Sequence, residues 1–389
     1  MDIRYSVSEL KEKYPQKIEN FVDSVLDLKN EMPSKLDPPS DFVFPIPKNR
    51  YDDFVLMHLM AFTNFDPASP MFAHRSSTFL PWHRYFLRIF EQDLQSIKSK
   101  YENVTIPYWD WTNEKNNQDI WNEKLMGGNG QESDWRVMDG PFSYDSGNWK
   151  LYAVNELGPG YDSNDLLRQF GYAKINGSLS QRRLPNLDHV MSALKIDPYD
   201  KPNWDDTAGE SFRNVVEGFY GAGRIHNIVH PWVGGIIIEN GQVTYAGSMS
   251  VGASNNDPCF WLHHANIDRI WADWQLHEDH WNLDFKGYLP IVNGPAGINV
   301  NDPMGPWTGN NITPASVANF YSMDNSGYKY EKYYRENISD RNSSLELQKK
   351  FFSPFIFLPI EGDYNHHLKW QSVNTSTLER LKKPLFPLE

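Results

Sequence analysis

Cysteine is all but missing: Cys259 stands alone in a chain of 389 residues. One thiol can form no intrachain disulfide and cannot assemble a thiolate metal cluster. Long apolar runs are lacking as well. None approaches the roughly 18 residues that mark a spanning helix, so no membrane partner is expected. Basic blocks are also absent: 37 Lys and Arg face 50 Asp and Glu, for a formal charge of −13. That balance argues against a nucleic-acid or anionic-membrane surface. The first residues, M-D-I-R-Y-S-V-S-E-L-K, have no charged segment leading into an apolar one. The expectation is therefore a cytoplasmic protein, or one exported by a route not visible in this chain. No internal repeat is present.

Aromatic residues, by contrast, are abundant, with 14 Trp, 20 Tyr and 22 Phe. This richness argues against disorder and for aromatic-lined cavities. The length allows two or three domains, or one large core with an extension. A chain of this size buries roughly three quarters of the surface its unfolded form exposes, and needs no staple.

Histidine spacing carries the chemistry. His226 and His230, in R-I-H-N-I-V-H-P-W-V-G-G, stand four apart, so on a helix both rings project from one face. A third, His263 or His264 in D-P-C-F-W-L-H-H-A-N-I-D, opens another helical run, read as extending from His264 to His277. A second trio precedes them. His58 lies on the apolar face begun by Tyr51, Phe54 and Val55; His74 lies in a connecting loop; His83 follows Pro81, which suits a first helical turn with Ser76–Thr78 as caps. Two imidazole trios across a four-helix arrangement make a binuclear site. Nitrogen-only ligation without a carboxylate bridge disfavours the di-iron class and points to copper before zinc. A copper pair cycling between Cu(I) and Cu(II) can bind dioxygen.

Around these residues the pattern predicts one or two amphipathic helices over 7–31, and further helices at 186–194 and 211–219. Asn240-Gly241 signals a hairpin turn. Pro231 biases His230 away from the helical region, so the His226 helix should end there. V-T-I-P-Y-W-D-W reads as a buried strand or extended aromatic loop, and 113–165 as loop forming part of the site wall. The apolar run from Phe351 reads as a strand pair. The fold class expected is mainly α, a four-helix bundle with long loops and a few short strands.

His58…His74-x8-His83 with F-L-P-W-H-R, then H-N-x-V-H-x-W-V-G-G and D-P-x-F-W-L-H-H-A-N-I-D-R, resemble the two copper-binding motifs of the tyrosinase family of type-3 copper proteins. P-Y-W-D-W, M-G-G-N-G, V-M-D-G-P-F and L-P-N-L-D-H-V are similar to family landmarks in the same order, so the likeness spans roughly residues 50 to 330. The resemblance implies two copper ions, with His264 as the third ligand of the second trio and His263 as a neighbour lining the pocket. It implies dioxygen as co-substrate, small phenols as substrates and a copper-delivery chaperone as partner. The reaction implied is ortho-hydroxylation of monophenols and oxidation of o-diphenols to o-quinones. Catechol oxidase, o-aminophenol oxidase and oxygen carrier are the alternatives. Asn227 and Glu217 match the pair thought to hold a water that takes the phenolic proton, a sound use of a polarised water as general base. Val251 resembles the small gate residue over the coppers, and Pro231 and Phe260 complete the implied pocket. Asp268 resembles the family carboxylate that buttresses the ligand helix; the alternative is an ion pair with Arg269 or another surface group.

Two features set this chain apart. Phe72 stands where fungal and plant members carry the cysteine of a Cys–His thioether, so the pattern is bacterial and Cys259 reads as a core residue. G-Y-K-Y at 327–330 resembles the motif that closes the core domain, giving a catalytic domain over 1–330 and an extension over 331–389. That extension is expected to pack on the core. Phe351, Phe352, Phe355 and Phe357 are its candidates for shielding the site, and His366 and His367 for a metal or plug feature.

Overall fold

The computed structural model describes residues 1–36, 45–63, 71–152, 164–221, 223–277, 280, 287–307, 311–321, 323 and 327–335. The strand pair expected near Phe351, its shielding aromatics, and His366 and His367 lie outside the described residues. Residues 331–335 stay attached to the core: Glu331 accepts from the Ser6 amide, and the Tyr334 amide donates to Asp273.

The amphipathic N-terminal stretch folds as two helices after a short strand, β1 (Asp2–Arg4). These are α1 (Val7–Lys13) and α2 (Pro15–Asn30), broken where Tyr14 leaves helical geometry ahead of Pro15, which fits a first helical turn. Next come α3 (Arg50–Thr63) and α4 (Phe79–Ile97). Ser76 and Thr78 do not cap α4. Their hydroxyls bond the Met71 and Phe72 carbonyls and each other, so they shape the loop that carries His74. V-T-I-P-Y-W-D-W is extended but forms only a single bridge, Tyr108 to Ser6.

The 113–165 stretch is not all loop. Asn113 caps α5 (Glu114–Ile120), whose seven residues are too few for a hydrophobic period to show. Strands β2 (Tyr172–Ile175) and β3 (Ser178–Gln181) follow, then the two expected helices, α6 (Leu187–Ala193) and α7 (Phe212–Glu217), capped by Asn186 and Ser211.

Helix α8 (Ile225–Gly234) carries Pro231 in its interior, against the expected stop. Proline removes one helical hydrogen bond, but the last turn is anchored from outside. Gln169 and Gly171 amides donate to the Val233 and Trp232 carbonyls, and the Gly235 amide closes on the Pro231 carbonyl. Strands β4 (Ile236–Glu239) and β5 (Gln242–Ala246) then form the hairpin with Asn240 and Gly241 both at positive φ. β2 joins β4 in parallel, giving a sheet ordered β3-β2-β4-β5.

α9 (Cys259–Gln275) starts five residues before the expected His264, because Asp257 takes the Cys259 amide and starts the turn there. All seventeen of its residues are buried, as befits a helix packed on every side. The short α10 (Pro314–Ala318) and β6 (Tyr328–Tyr330) complete the described body, β6 pairing in parallel with β1. Among the described residues no helix is long and apolar enough to cross a membrane.

The core that positions the site is aromatic. Trp261 of α9 stacks on Phe90 of α4 at 3.6 Å, and Phe54 of α3 meets Phe86, Phe90 and Trp261. α3, α4, α8 and α9 thus form a four-helix arrangement around the histidines, in a mainly helical fold with few short strands.

Candidate metal centre

Seven buried histidines meet at the middle of these helices. One ring nitrogen of each of His58, His74 and His83 lies within 4.8 Å of the others, and the same holds for His226, His230, His263 and His264. The two groups touch: the His83 and His264 rings stack at 4.2 Å, and His74 lies 5.4 Å from His226.

Hydrogen bonds decide which nitrogen carries the proton. The Nδ1 atoms of His58, His83 and His230 each lie 2.9 Å from a backbone carbonyl, of Gly252, Phe79 and Met249 respectively. A carbonyl only accepts, so in these neutral rings the proton sits on Nδ1 and Nε2 is a bare lone pair. His226 follows the same rule through Asn227 Oδ1 at 2.9 Å and the Glu217 carbonyl at 3.3 Å. These bare nitrogens are turned inward. The Nε2 atoms of His226 and His230 stand 2.9 Å apart, that of His58 lies 3.3 Å from His74 Nε2 and that of His226 3.3 Å from His264 Nε2, while His83 Nε2 is buried without a partner among the described residues.

Lone pairs facing lone pairs repel unless a cation lies between them. Two nitrogens each about 2.0–2.1 Å from one ion and roughly at right angles stand about 3 Å apart, which is the spacing found. The donor set therefore fits two metal ions. Burial pushes every one of these pKa values down, His58 to about 4 and His226 to about 3. The rings are neutral at pH 7, the form that binds metal.

His263 differs. Its Nδ1 accepts from the Trp111 indole at 3.2 Å, and the ring also lies against the His226 backbone carbonyl.

Beside the first trio, Arg75 adopts a left-handed φ of +54°, an uncommon strain for a residue with a side chain. That turn aims its amide at Glu217 Oε1, 2.6 Å away, while Arg213 donates to Oε2 at 3.1 Å. His74 Nδ1 lies 3.6 Å from Oε1. Burial raises the Glu217 pKa to about 7, with Arg213 opposing. Asn227 is buried, and its Nδ2 lacks a partner among the described residues. Arg75 and Arg213 were not singled out in the sequence; Arg213, one helical turn before Glu217, was within reach of an i,i+4 reading.

The remaining pocket residues fall as follows. Phe260 is fully buried among both groups, 4.1 Å from His264 and 5.0 Å from His58 by ring centres. Pro231 is buried in α8, and Val251 is half-buried between the residues whose carbonyls hold His230 and His58. Asp268 does not pair with Arg269, which turns to Asp110. It accepts instead from Arg84 Nε at 2.6 Å, Arg4 Nη1 at 3.3 Å, Tyr328 at 2.5 Å and Tyr330 at 2.6 Å. Arg84 follows His83 and Asp268 lies one turn after His264, so this carboxylate ties together the helices bearing the stacked pair.

Comparison with known proteins agrees with this geometry. A family model described as the common central domain of tyrosinase matches residues 48–277. The tyrosinase of Streptomyces glaucescens is 39% identical over 269 residues, covering 69% of this chain and 85% of that protein. The tyrosinase of Streptomyces antibioticus is 36% identical with the same coverage. Grixazone synthase of Streptomyces griseus is 36% identical over 303 residues, covering 70% of this chain and 90% of its own. Among solved structures, a mutant polyphenol oxidase from Thermothelomyces thermophila superposes with a TM-score of 0.55 at 21% identity, over 85% of this chain and 89% of that one.

Proposed function

The chain belongs to the tyrosinase family of binuclear copper oxidoreductases that use dioxygen, and from that premise we propose that it hydroxylates monophenols at the ortho position and oxidises the resulting diphenols to o-quinones. In this reading His58, His74 and His83 hold one copper and His226, His230 and His264 the other. The copper pair supplies dioxygen binding and the redox chemistry. For a simple phenol the sum balances as phenol plus O2 giving o-quinone plus water.

What the protein's own residues add is proton handling. A monophenol must lose its hydroxyl proton to bind as phenolate, whose charge the metal pair favours. The observation that carries the proposal is the buried Asn227 Nδ2, without a partner among the described residues, near Glu217, whose pKa of about 7 suits a base working at neutral pH. Glu217 through its backbone carbonyl and Asn227 through its side-chain oxygen reach the same nitrogen, His226 Nδ1, which places the two residues on the same side of that ligand. Glu217 Oε1 takes the Arg75 amide and faces His74, while Oε2 takes the Arg213 guanidinium and, among the described residues, keeps a second lone pair for a water. Asn227 donating to that water and Glu217 accepting from it would leave a polarised oxygen to take the phenolic proton.

The test is a panel of initial rates on a monophenol such as tyramine, a catechol and an o-aminophenol, for the wild type and for Asn227→Ala. Monophenol turnover with a lag, and a fall in the monophenol-to-diphenol ratio in the variant, is the expected result. Turnover of catechols or aminophenols alone would move the chain to catechol or aminophenol oxidase. An unchanged ratio in the variant would remove the water-holding role.

A further inference from the structure

The second group holds four histidines, and four imidazoles on one ion would make a closed, structural site rather than an open, reactive one. All four rings are close enough to compete: His263 lies 5.3 Å from His226, 5.1 Å from His230 and 5.1 Å from His264 by ring centres. Distance therefore does not choose among them. The proton does.

Indole Nε1–H can only donate. At 3.2 Å from His263 Nδ1, with both groups buried, the Trp111 indole makes that nitrogen the acceptor. A neutral imidazole carries one proton, so it must sit on His263 Nε2. This is the reverse of His58, His83 and His230, where carbonyls hold the proton on Nδ1 and leave Nε2 bare. His263 thus presents an N–H to the site where its neighbours present lone pairs.

Trp111 is fixed to do this. The Trp109 amide donates to the Leu262 carbonyl, docking the 109–111 segment on α9 one residue before His263. Asn117 of α5 donates to the Trp111 carbonyl at 3.0 Å and accepts from the Trp109 indole at 2.8 Å. The unanticipated α5 is thereby part of the device.

We propose that Trp111 is a positioning residue that keeps His263 off the second copper, so that this ion is held by three imidazoles and retains an open position for dioxygen and substrate. The proposal rests on the copper centre and not on monophenol hydroxylation, so a failure of the hydroxylase reading on the substrate panel would leave it standing.

The test compares wild type, Trp111→Phe, His263→Phe and the double variant, each as the copper-loaded full chain and after reloading with cobalt(II). Readouts are copper per chain, the rate of copper loss to a chelator, and the visible cobalt d–d bands, which move when an imidazole replaces water. His263→Phe should keep two coppers per chain with wild-type bands. Trp111→Phe should shift the bands and slow copper loss on the order of tenfold, the scale of effects seen when a ligand's hydrogen-bonding partner changes. The double variant should return to wild type, which a merely structural role for Trp111 would not produce. Loss of a copper in His263→Phe, or wild-type bands and extraction rate in a folded Trp111→Phe, would overturn the proposal. Should Trp111→Phe fail to fold, Asn117→Ala, which loosens the Trp109–Trp111 segment, takes its place with the same expected band shift and the same overturning result.

Discussion

Asp268→Asn keeps the side chain's shape and removes its charge from a buried junction of four donors. Asp268 receives two guanidinium and two phenol donors at 2.5–3.3 Å, and its partners are Arg84, Arg4, Tyr328 and Tyr330, all essentially inaccessible to solvent. Arg4 would keep Glu91, but among the described residues Arg84 would be left with the neutral Gln275, the Ala318 carbonyl and the Trp271 and Phe320 ring faces, and no anionic partner. Removing one member of a buried ion pair costs about 3–5 kcal/mol, because the other charge stays desolvated. A total stability of roughly 5–15 kcal/mol makes that a large fraction. At about 2 °C per kcal/mol for a large domain, Tm should fall by about 6–10 °C. The assay is thermal unfolding by circular dichroism at pH 7, with copper per chain measured on the same samples. Copper retention should drop with Tm, since the carboxylate fixes α4 against α9 where His83 and His264 stack. A variant within about 1 kcal/mol of wild type would refute the reasoning.

Two further outcomes are expected. His58 and His226 have pKa values lowered by burial from 6.5 to about 4 and about 3, so between pH 6.5 and 4 the unfolded chain binds protons that the folded one does not. Stability of the metal-free chain should therefore fall as pH drops through that window, by up to ~1.4 kcal/mol per unit for each ring; a metal-free Tm that stays flat from pH 7 to 5 would contradict this. Gly247→Ala would put a Cβ 1.9 Å from the Gly234 carbonyl oxygen, displacing the Ser248–Ser250 turn whose Met249 carbonyl holds His230. It should cost about 1–3 kcal/mol and hasten copper loss to a chelator, and unchanged melting and extraction would show that the close approach is not needed.

The legible parts of this protein are the local ones. The helical spacing of His226 and His230, the helices expected over 186–194 and 211–219, and the Asn240-Gly241 turn all depend on residues within a few positions of one another, and all appear close to where expected. What stayed hidden depends on distant partners. Pro231 continues a helix because Gln169 and Gly171 hold its last turn, and β1 finds β6 across 326 residues. The choice between His263 and His264 came from family likeness. The physical ground for it, the Trp111 indole 152 residues away, is visible only in the fold. Arg75 gave no local sign of its strained backbone, because the carboxylate that rewards it sits on α7.

The face-to-face contact of His83 and His264 has a thermodynamic consequence. The wall of each metal position is built from rings that serve the other: Phe260 leans on both His264 and His58, and Phe79 on both His83 and His226. An ion arriving at either trio stills the rings that border its neighbour, so the second ion meets ligands whose freedom is already spent. The two binding steps share a coupling free energy that is the same whichever site fills first. At limiting copper the chains should therefore divide into empty and doubly loaded populations, with the singly loaded form scarce.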